Sequence, residues 1–467
     1  MPHSQQLSLE VTQALFERAK SAFFGFGEDT ALVAVQHMLE QTIDLFETIA
    51  DLGLSRQNMF ALGKVYSNSR PVIETLRNTG VTVVETTMPE PGKFDQYFEQ
   101  DAKKLWQVVA EKLATRGIKR VLVLDDGGAC ITTAPPELLR RYSMCGVEQT
   151  SLGMFLFEKK PPPFAVFSWA RTAVKLEIGG PIFSHCLIDR LRNELLDRKP
   201  EQLGVIGMGS IGRAMANLAG REGKRVLYYD PRQDLEIGPT LRMCVSPVES
   251  LEELMMRCDY VIGCSGRNPF RNNWPLRHRP GIKLVSASGG DQEFGPIINY
   301  LKTRPGFHVD SDSWDISSEL GPCGPIQIAY LGYPYNFVSR AREAVPTRIV
   351  QLETGGLLAA LIQARIFLEY CEDGLARNSG IHRVSPAAQK FVYEEWLKVM
   401  HDSKIDLVEV FGHDPARLRG AQHEGWLAKN SEPHPSTRYV PLRTLEDEMD
   451  QVVCLECNPA NSRQAAG

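Results

Sequence analysis

One stretch near the middle of the chain constrains its fold more than any other. Gln202 to Ile206 reads as a strand, Gly207-Met-Gly209-Ser-Ile-Gly212 follows it, and Arg213 to Arg221 carries a helical pattern. Arg225 to Tyr229 then reads as a second strand ending at Asp230-Pro231. A lone glycine motif says little. Strand, glycine turn, helix, strand and acid in this order describe a dinucleotide-binding βαβ unit. Gly207 permits the tight turn, and Gly209 lets backbone approach a pyrophosphate at the positive end of the helix. Gly212 lets helix and strand pack closely, and Ser210 and Ile211 complete the turn. Asp230 is placed to accept hydrogen bonds from the adenine-side ribose. A carboxylate there repels a 2′-phosphate, which favours NAD over NADP, with Arg232 close by as a counterweight. A flavin, or a glycine turn that binds nothing, are the alternatives.

The flanking sequence fits an α/β protein. Tyr260 to Gly263 and Lys283 to Ser286 read as further strands, followed by the small-residue turns Cys264-Ser265-Gly266 and Ser286-Ala-Ser-Gly-Gly290-Asp291. Such turns lie where a cofactor rests in open sheets, so Cys264, Ser265 and Gly266 join the cofactor candidates. The expected organisation is a Rossmann domain over 190–330, inserted in a split α/β domain formed by 1–185 and the mostly helical 334–400. Residues 401–467 form a polar tail. In the first part, Gln36 to Leu52 reads as an amphipathic helix, and Arg120 to Leu124 as a buried strand stopping at Asp125-Asp126-Gly127-Gly128.

Composition narrows the function classes. Lys+Arg 52 against Asp+Glu 57 leaves a net charge of -5, which argues against a dedicated nucleic-acid binder. No run of about 18 apolar residues suggests a membrane span. The N-terminus lacks a basic-then-apolar leader pattern, so a cytoplasmic protein is expected. Ten cysteines are scattered, and the only CxxC, Cys454 to Cys457, is at best half a zinc site, so no metal is expected. His185, His382 and His401 show no ligand spacing, the Asp310/Asp312 pair could bind a cation but reads as a polar turn without further carboxylates, and neither a Gly-x-Ser-x-Gly element nor a Walker loop is present.

Beyond the glycine unit, several markers resemble the S-adenosylhomocysteine hydrolase family. These are Leu124-Asp125-Asp126-Gly127-Gly128, Gly146-Val147-Glu148-Gln149-Thr150, Gln36-His37-Met38 and Leu331-Gly332-Tyr333-Pro334. The resemblance implies tightly held NAD that oxidises a ribose hydroxyl, followed by elimination and hydration, in one-carbon metabolism. It also implies departures. Ala173 stands at the family's lysine and Glu177 at its aspartate. Gln149 replaces a glutamate, and Gly289 and Tyr333 replace histidines. A glutamine holds no charge and a glycine moves no proton, so the family's acid/base set is incomplete. Asp126, His37 and Glu177 are the catalytic candidates that remain. Tyr439 matches the tail residue that reaches a neighbouring subunit's NAD, which implies a homo-oligomer. The expected function is NAD-dependent oxidation of a hydroxyl on a nucleoside-like or other small polar substrate. A non-catalytic NAD-binding regulator, and a hydrolase with substituted residues, are the alternatives.

Overall fold

The computed structural model describes residues 10–22, 25–198, 202–232, 235, 245–270, 275–338, 345–370, 379–402 and 427. Two open sheets organise them. The first contains β1 (Thr30–Val35), β2 (Met59–Leu62), β3 (Thr82–Val84), β4 (Arg120–Asp125), β5 (Ser143–Glu148), β6 (Ala165–Ser168) and β15 (Gly380–Arg383). The second contains β7 (Gln202–Ile206), β8 (Arg225–Tyr229), β9 (Val245–Pro247), β10 (Tyr260–Gly263), β11 (Ile282–Ser286), β12 (His308–Val309), β13 (Ile316–Gly321) and β14 (Gly324–Ile328).

The strand order of the first sheet is β15-β6-β5-β4-β1-β2-β3, with every pair parallel. The second runs β12-β13-β14-β11-β10-β7-β8-β9, parallel except for the β12 and β13 pairings at one edge. Each sheet therefore reverses its winding once, between β1 and β4 in the first and between β7 and β10 in the second. Ligands of doubly wound sheets bind at that crevice, beyond the carboxyl ends of the strands.

Parallel strands are covered on both faces, so their sequences are continuous apolar runs. Thr30-Ala-Leu-Val-Ala-Val35 and Arg120-Val-Leu-Val-Leu-Asp125 are buried along their whole length. One face of the first sheet (Leu32, Ala34, Leu122, Leu124) packs with residues of helices Thr347–Tyr370 and Pro386–Asp402. The other face (Val33, Val35, Val121, Val123) joins a cluster that includes helix Phe94–Leu113 and continues to Ile282, Leu284 and Ile326 of the second sheet. Helix Thr347–Tyr370 is long and apolar enough to cross a membrane. However, 89% of its most apolar window is buried inside the protein. Gly356 lies so close to Trp169 that any side chain there would collide with the indole.

One expectation changes at β1. The helix expected from Gln36 begins at Glu40, and Thr30–Val35 before it is a strand. Gln36 and His37 therefore sit in the turn at the carboxyl end of β1 rather than on a helix. The apolar run before Gln36 has no alternation, because both faces are buried, and so it gives no period-2 signal.

Candidate active site

The glycine turn between β7 and helix Ser210–Arg221 is built as a cradle. Gly207 has φ +88, and a Cβ on it would come 2.6 Å from the Ser265 Cα, so only glycine fits. A Cβ on Gly212 would run into the Gly207 carbonyl. At Gly209 a Cβ would meet nothing within 4 Å. The first and third glycines thus serve packing within the protein, while the middle one faces open space. A pyrophosphate approaching the helix N-terminus needs that space. The Ser210 hydroxyl donates to the Leu176 carbonyl, so its side chain clamps the cradle to the first domain and leaves backbone N–H groups for an anion. Ile211 lies half-buried against Leu187 and its neighbours.

Asp230 closes the cradle. Its Oδ2 accepts from the Met208 N–H at 2.7 Å and from Arg232 Nη2 at 2.9 Å. Burial raises its pKa, but Arg232 and the backbone donors outweigh that and hold it below the ordinary carboxylate value. Beside the glycine turn, Cys264 follows β10 with its N–H on the Ile206 carbonyl. Burial pushes its thiol well above the usual value, which favours the protonated thiol over the thiolate. The Ser265 N–H donates to Glu293 Oε1 at 2.9 Å and the Gly266 N–H to Ser288 Oγ at 3.0 Å. The loop is thereby tied to the turn after β11.

The second constellation lies at the winding reversal of the first sheet. Asp126 follows β4, His37 follows β1, Lys64 follows β2 and Gln149 follows β5. Asp126 Oδ1 accepts from the Lys64 ammonium. Its Oδ2 accepts from Gln149 Nε2 at 2.5 Å and lies 3.2 Å from His37 Nε2. Burial disfavours the Asp126 charge, yet the ammonium and His37 override it and the carboxyl stays far below its usual range. Burial also works against the Lys64 charge, and Asp126 more than restores it. For His37 desolvation wins over Asp126, and its pKa is lowered, so the ring is neutral at pH 7. A quarter of that side chain, 24%, still reaches solvent, whereas Lys64 is at 2%. A carboxylate only accepts, so the Nε2 carries the ring proton and Nδ1 accepts from Ser67 Oγ at 2.6 Å.

Behind this cluster Glu148 Oε1 accepts from the Gly127 N–H (3.1 Å), the Thr150 N–H (2.8 Å) and the Thr150 hydroxyl (2.6 Å). It fixes the two turns that carry Asp126 and Gln149. Burial raises the pKa of Glu148 well above normal, and that of Asp125 to about 7, so Asp125 acts as a buried structural acid.

The second sheet closes over the cluster. Phe337 stacks on His37 with centroids 4.3 Å apart, and Tyr66 stacks on Tyr333 at 4.9 Å. The Tyr330 hydroxyl donates to the Tyr66 carbonyl at 2.8 Å. Burial raises the Tyr333 phenol further, so it is an even poorer proton shuttle than its ordinary pKa suggests.

The structure therefore brings Asp126 and His37 together. Glu177 lies exposed on the π-helical turn Lys175–Gly179. Its neighbour Lys175 points to Glu353 (2.8 Å), which also accepts from Trp169 Nε1 at 2.9 Å, and its charge reaches His37. Tyr439, Cys454 and Cys457 lie outside the described residues. Lys64 and Ser67 are the residues that sequence reasoning missed. A lone lysine after the apolar strand Met59–Leu62 was the one signal for them. Among the described residues no group of three His, Cys, Asp or Glu side chains is arranged to hold a metal.

Comparison with known proteins adds the cofactor. Residues 188–269 match the NAD-binding domain of the D-isomer specific 2-hydroxyacid dehydrogenases. The chain has an α/β fold with an NAD-binding Rossmann domain. An uncharacterized protein of Mycobacterium tuberculosis (strain H37Rv) is 27% identical over 312 residues, 66% of this chain and 58% of that one. The chain thus spans little more than half the length of that relative. A formate dehydrogenase of Chaetomium thermophilum is 33% identical over 105 residues, 20% of this chain and 27% of its own. Among solved structures, apo D-lactate dehydrogenase from Escherichia coli aligns at 16% identity over 74% of this chain and 99% of its own, with a TM-score of 0.32. A D-isomer specific 2-hydroxyacid dehydrogenase from Lactobacillus delbrueckii ssp. bulgaricus, in its NAD complexed form, aligns at 13% identity over 58% and 76%, with a TM-score of 0.27. The match over residues 188–269 corrects the resemblance to S-adenosylhomocysteine hydrolase: the matched domain is that of 2-hydroxyacid dehydrogenases, and hydrolysis and one-carbon metabolism fall with it. The glycine unit is common to many NAD enzymes and cannot discriminate among them. The other markers were fragments of three to five residues.

Proposed function

We propose that the protein is an NAD-dependent oxidoreductase that acts on a hydroxyl of a small polar substrate held between the two sheets. One observation carries this: His37, Asp126 and Lys64 converge at the winding reversal of the first sheet, directly under Phe337 and Tyr333 of the segment leaving the second. NAD, when bound along Gly207, Gly209 and Gly212, supplies a hydride acceptor. The protein's own task is to take the hydroxyl proton. Neutral His37 is the group for it, entering at Nδ1. The Ser67 hydroxyl that occupies Nδ1 has an alternative acceptor in the Lys64 carbonyl at 3.4 Å, which frees the lone pair. Asp126 then stabilises the imidazolium through Nε2, and Lys64 and Gln149 hold Asp126 in place.

The charge balance supports a neutral substrate. Lys64 is committed to Asp126 and Lys175 to Glu353. A substrate carboxylate beside ionised Asp126 would be repelled, whereas a diol, such as the ribose of a nucleoside, both donates and accepts.

The test is absorbance at 340 nm of the purified chain with NAD, against a panel of sugars, nucleosides and 2-hydroxy acids. Neutral polyols are expected to give reduction, and His37→Asn to lower the rate by about a hundredfold or more with dinucleotide affinity unchanged. No reduction across the panel, or a His37→Asn rate within about threefold of wild type, would overturn the proposal. The first of those results would favour a non-catalytic NAD-binding protein.

A further inference from the structure

Among the described residues, the non-glycine residues with positive φ are Trp314 (61°), Tyr330 (50°) and Leu331 (55°), and they meet in one place. The Leu331 N–H donates to the Trp314 carbonyl at 2.7 Å, and the Trp314 and Tyr330 rings stack with centroids 5.4 Å apart. Bulky side chains are strained in the left-handed region. The second sheet holds the strain in place from two sides. Asp315 Oδ1, next to Trp314, accepts from the Tyr330 N–H at 3.0 Å, and Ser286 at the end of β11 pairs with Pro334 beyond the bend. Strain of this kind persists only where its surroundings over-determine it, and it gathers at functional sites.

The bend sends the Tyr330 side chain out of the second sheet and onto the first. There its hydroxyl donates to the Tyr66 carbonyl at 2.8 Å, and both residues are buried. A buried carbonyl needs a donor. The short turn Val65–Ser67 closes on a different carbonyl, that of Lys64, which accepts from the Ser67 N–H at 2.8 Å. What this turn carries gives the contact its weight. Lys64 precedes it and pairs with Asp126, and Ser67 ends it with Oγ 2.6 Å from His37 Nδ1. Asn68 then pairs with Met38, and the Ser69 N–H donates to the Met38 carbonyl at 3.0 Å. Movement of Tyr66 is therefore movement of the supports of His37.

We propose that Tyr330 is a positioning residue for His37: the left-handed bend at 330–332 seats its hydroxyl on the Tyr66 carbonyl and so sets the turn that carries Lys64 and Ser67. Its effect on rate rests on the reading of His37 as the proton acceptor, whereas its effect on the imidazole does not. The charged groups acting on His37 are Asp126, Lys64 and Lys175, and the Tyr66 ring faces it at 5.9 Å. Burial outweighs them and lowers the imidazole below its ordinary 6.5. Phe337, on the same segment as Tyr330, stacks on the ring. Release of the segment therefore admits water to the imidazole and moves it back up.

The experiment is an NMR titration of the full chain labelled with ¹³C-histidine, the His37 signal being the one lost in His37→Asn. Tyr330→Phe keeps the stack on Trp314 and removes only the hydroxyl. It is expected to raise the His37 midpoint by about half a pH unit, to leave NADH affinity within about threefold of wild type, and to lower kcat on any substrate found about tenfold. Asp315→Ala, which frees the bend from its β13 end, should move His37 the same way and carries the test if Tyr330→Phe does not fold. Tyr393→Phe removes another buried phenol hydroxyl, from helix Pro386–Asp402, and should leave the midpoint in place. The proposal is overturned if the midpoint stays within about 0.2 pH unit of wild type in Tyr330→Phe, or if Tyr393→Phe moves it as far. A raised midpoint without oxidation of any substrate supports the role of Tyr330 and removes the reaction proposed above. Oxidation at the wild-type rate in Tyr330→Phe, with the midpoint unmoved, does the reverse.

Discussion

Glu293 shows how burial, rather than pairing, sets the acid–base behaviour of individual residues here. Burial pushes its pKa up to about 7, against hydrogen bonds from Ser288 and Ser265 that favour the anion. Asp291 and Asp125 are likewise raised to about 7, burial being the main cause. The folded value lies above the unfolded one of 4.5 for Glu293. Its contribution is therefore fully present below pH 4.5 and is lost as pH rises through about 7. Glu293→Gln, which keeps an acceptor for the Ser265 N–H, should abolish about 3 kcal/mol of the decline in stability between pH 4.5 and 8. Urea unfolding at the two pH values checks this, and an unchanged decline would count against a buried neutral Glu293. The same scale shows what the sequence could reveal. Asp126 was marked by the apolar strand it follows together with the resemblance, whereas His37 was marked by the resemblance alone and was expected on a helix. Lys64 was not, because its partner is 62 residues away and nothing in its own neighbourhood marks it as paired. Glu177 was chosen by alignment, and the structure turns it outward while Lys175 beside it makes the inward ion pair.

The glycine turn and its flanking strands were the most legible element. Strands Gln202–Ile206, Arg225–Tyr229 and Tyr260–Gly263 have the bounds that their apolar runs indicate. The turn also separates packing from binding. Gly212→Ala drives a methyl into the Gly207 carbonyl and should lower the melting temperature by several degrees, at a cost of about 1–3 kcal/mol. Gly209→Ala meets no protein atom, so it should leave the melting temperature unchanged and weaken NADH by about tenfold, because the methyl stands where the diphosphate must come. Thermal scans with and without NADH distinguish the two. Equal thermal losses would show that Gly209 faces protein after all. Less legible was Thr30–Val35, a run buried on both faces that the helical pattern after it absorbed. The hairpin of Ile316–Gly321 and Gly324–Ile328 was also missed, since its turn, Gly321-Pro-Cys-Gly324, lacks the usual two-residue hairpin signal.

At the scale of the molecule, one aromatic seam joins the sheets. Phe94 is buried against Phe98, Tyr66 and Tyr333, with centroids 5.1, 5.4 and 5.7 Å away, and its N–H donates to Asp291 at 3.2 Å. Phe94→Ala should cost about 3–5 kcal/mol and divide a single calorimetric transition into two. A loss under about 1 kcal/mol with one sharp transition would mean that the seam does not couple the sheets. The alternation of strands and helices announced an α/β protein. Which strands close the first sheet was not written locally, because β15 pairs with β6 across the whole of the second sheet. That connectivity bears on how the protein is made. Helix Thr347–Tyr370 and β15 finish the first sheet, yet they leave the ribosome some 180 residues after β6. At about 5–20 residues per second, the nascent chain carries a half-covered apolar sheet for roughly 10 to 35 s. Throughout that interval Leu32, Ala34, Leu122 and Leu124 lack the helix that buries them, and that face of the nascent sheet is the surface on which premature association would begin.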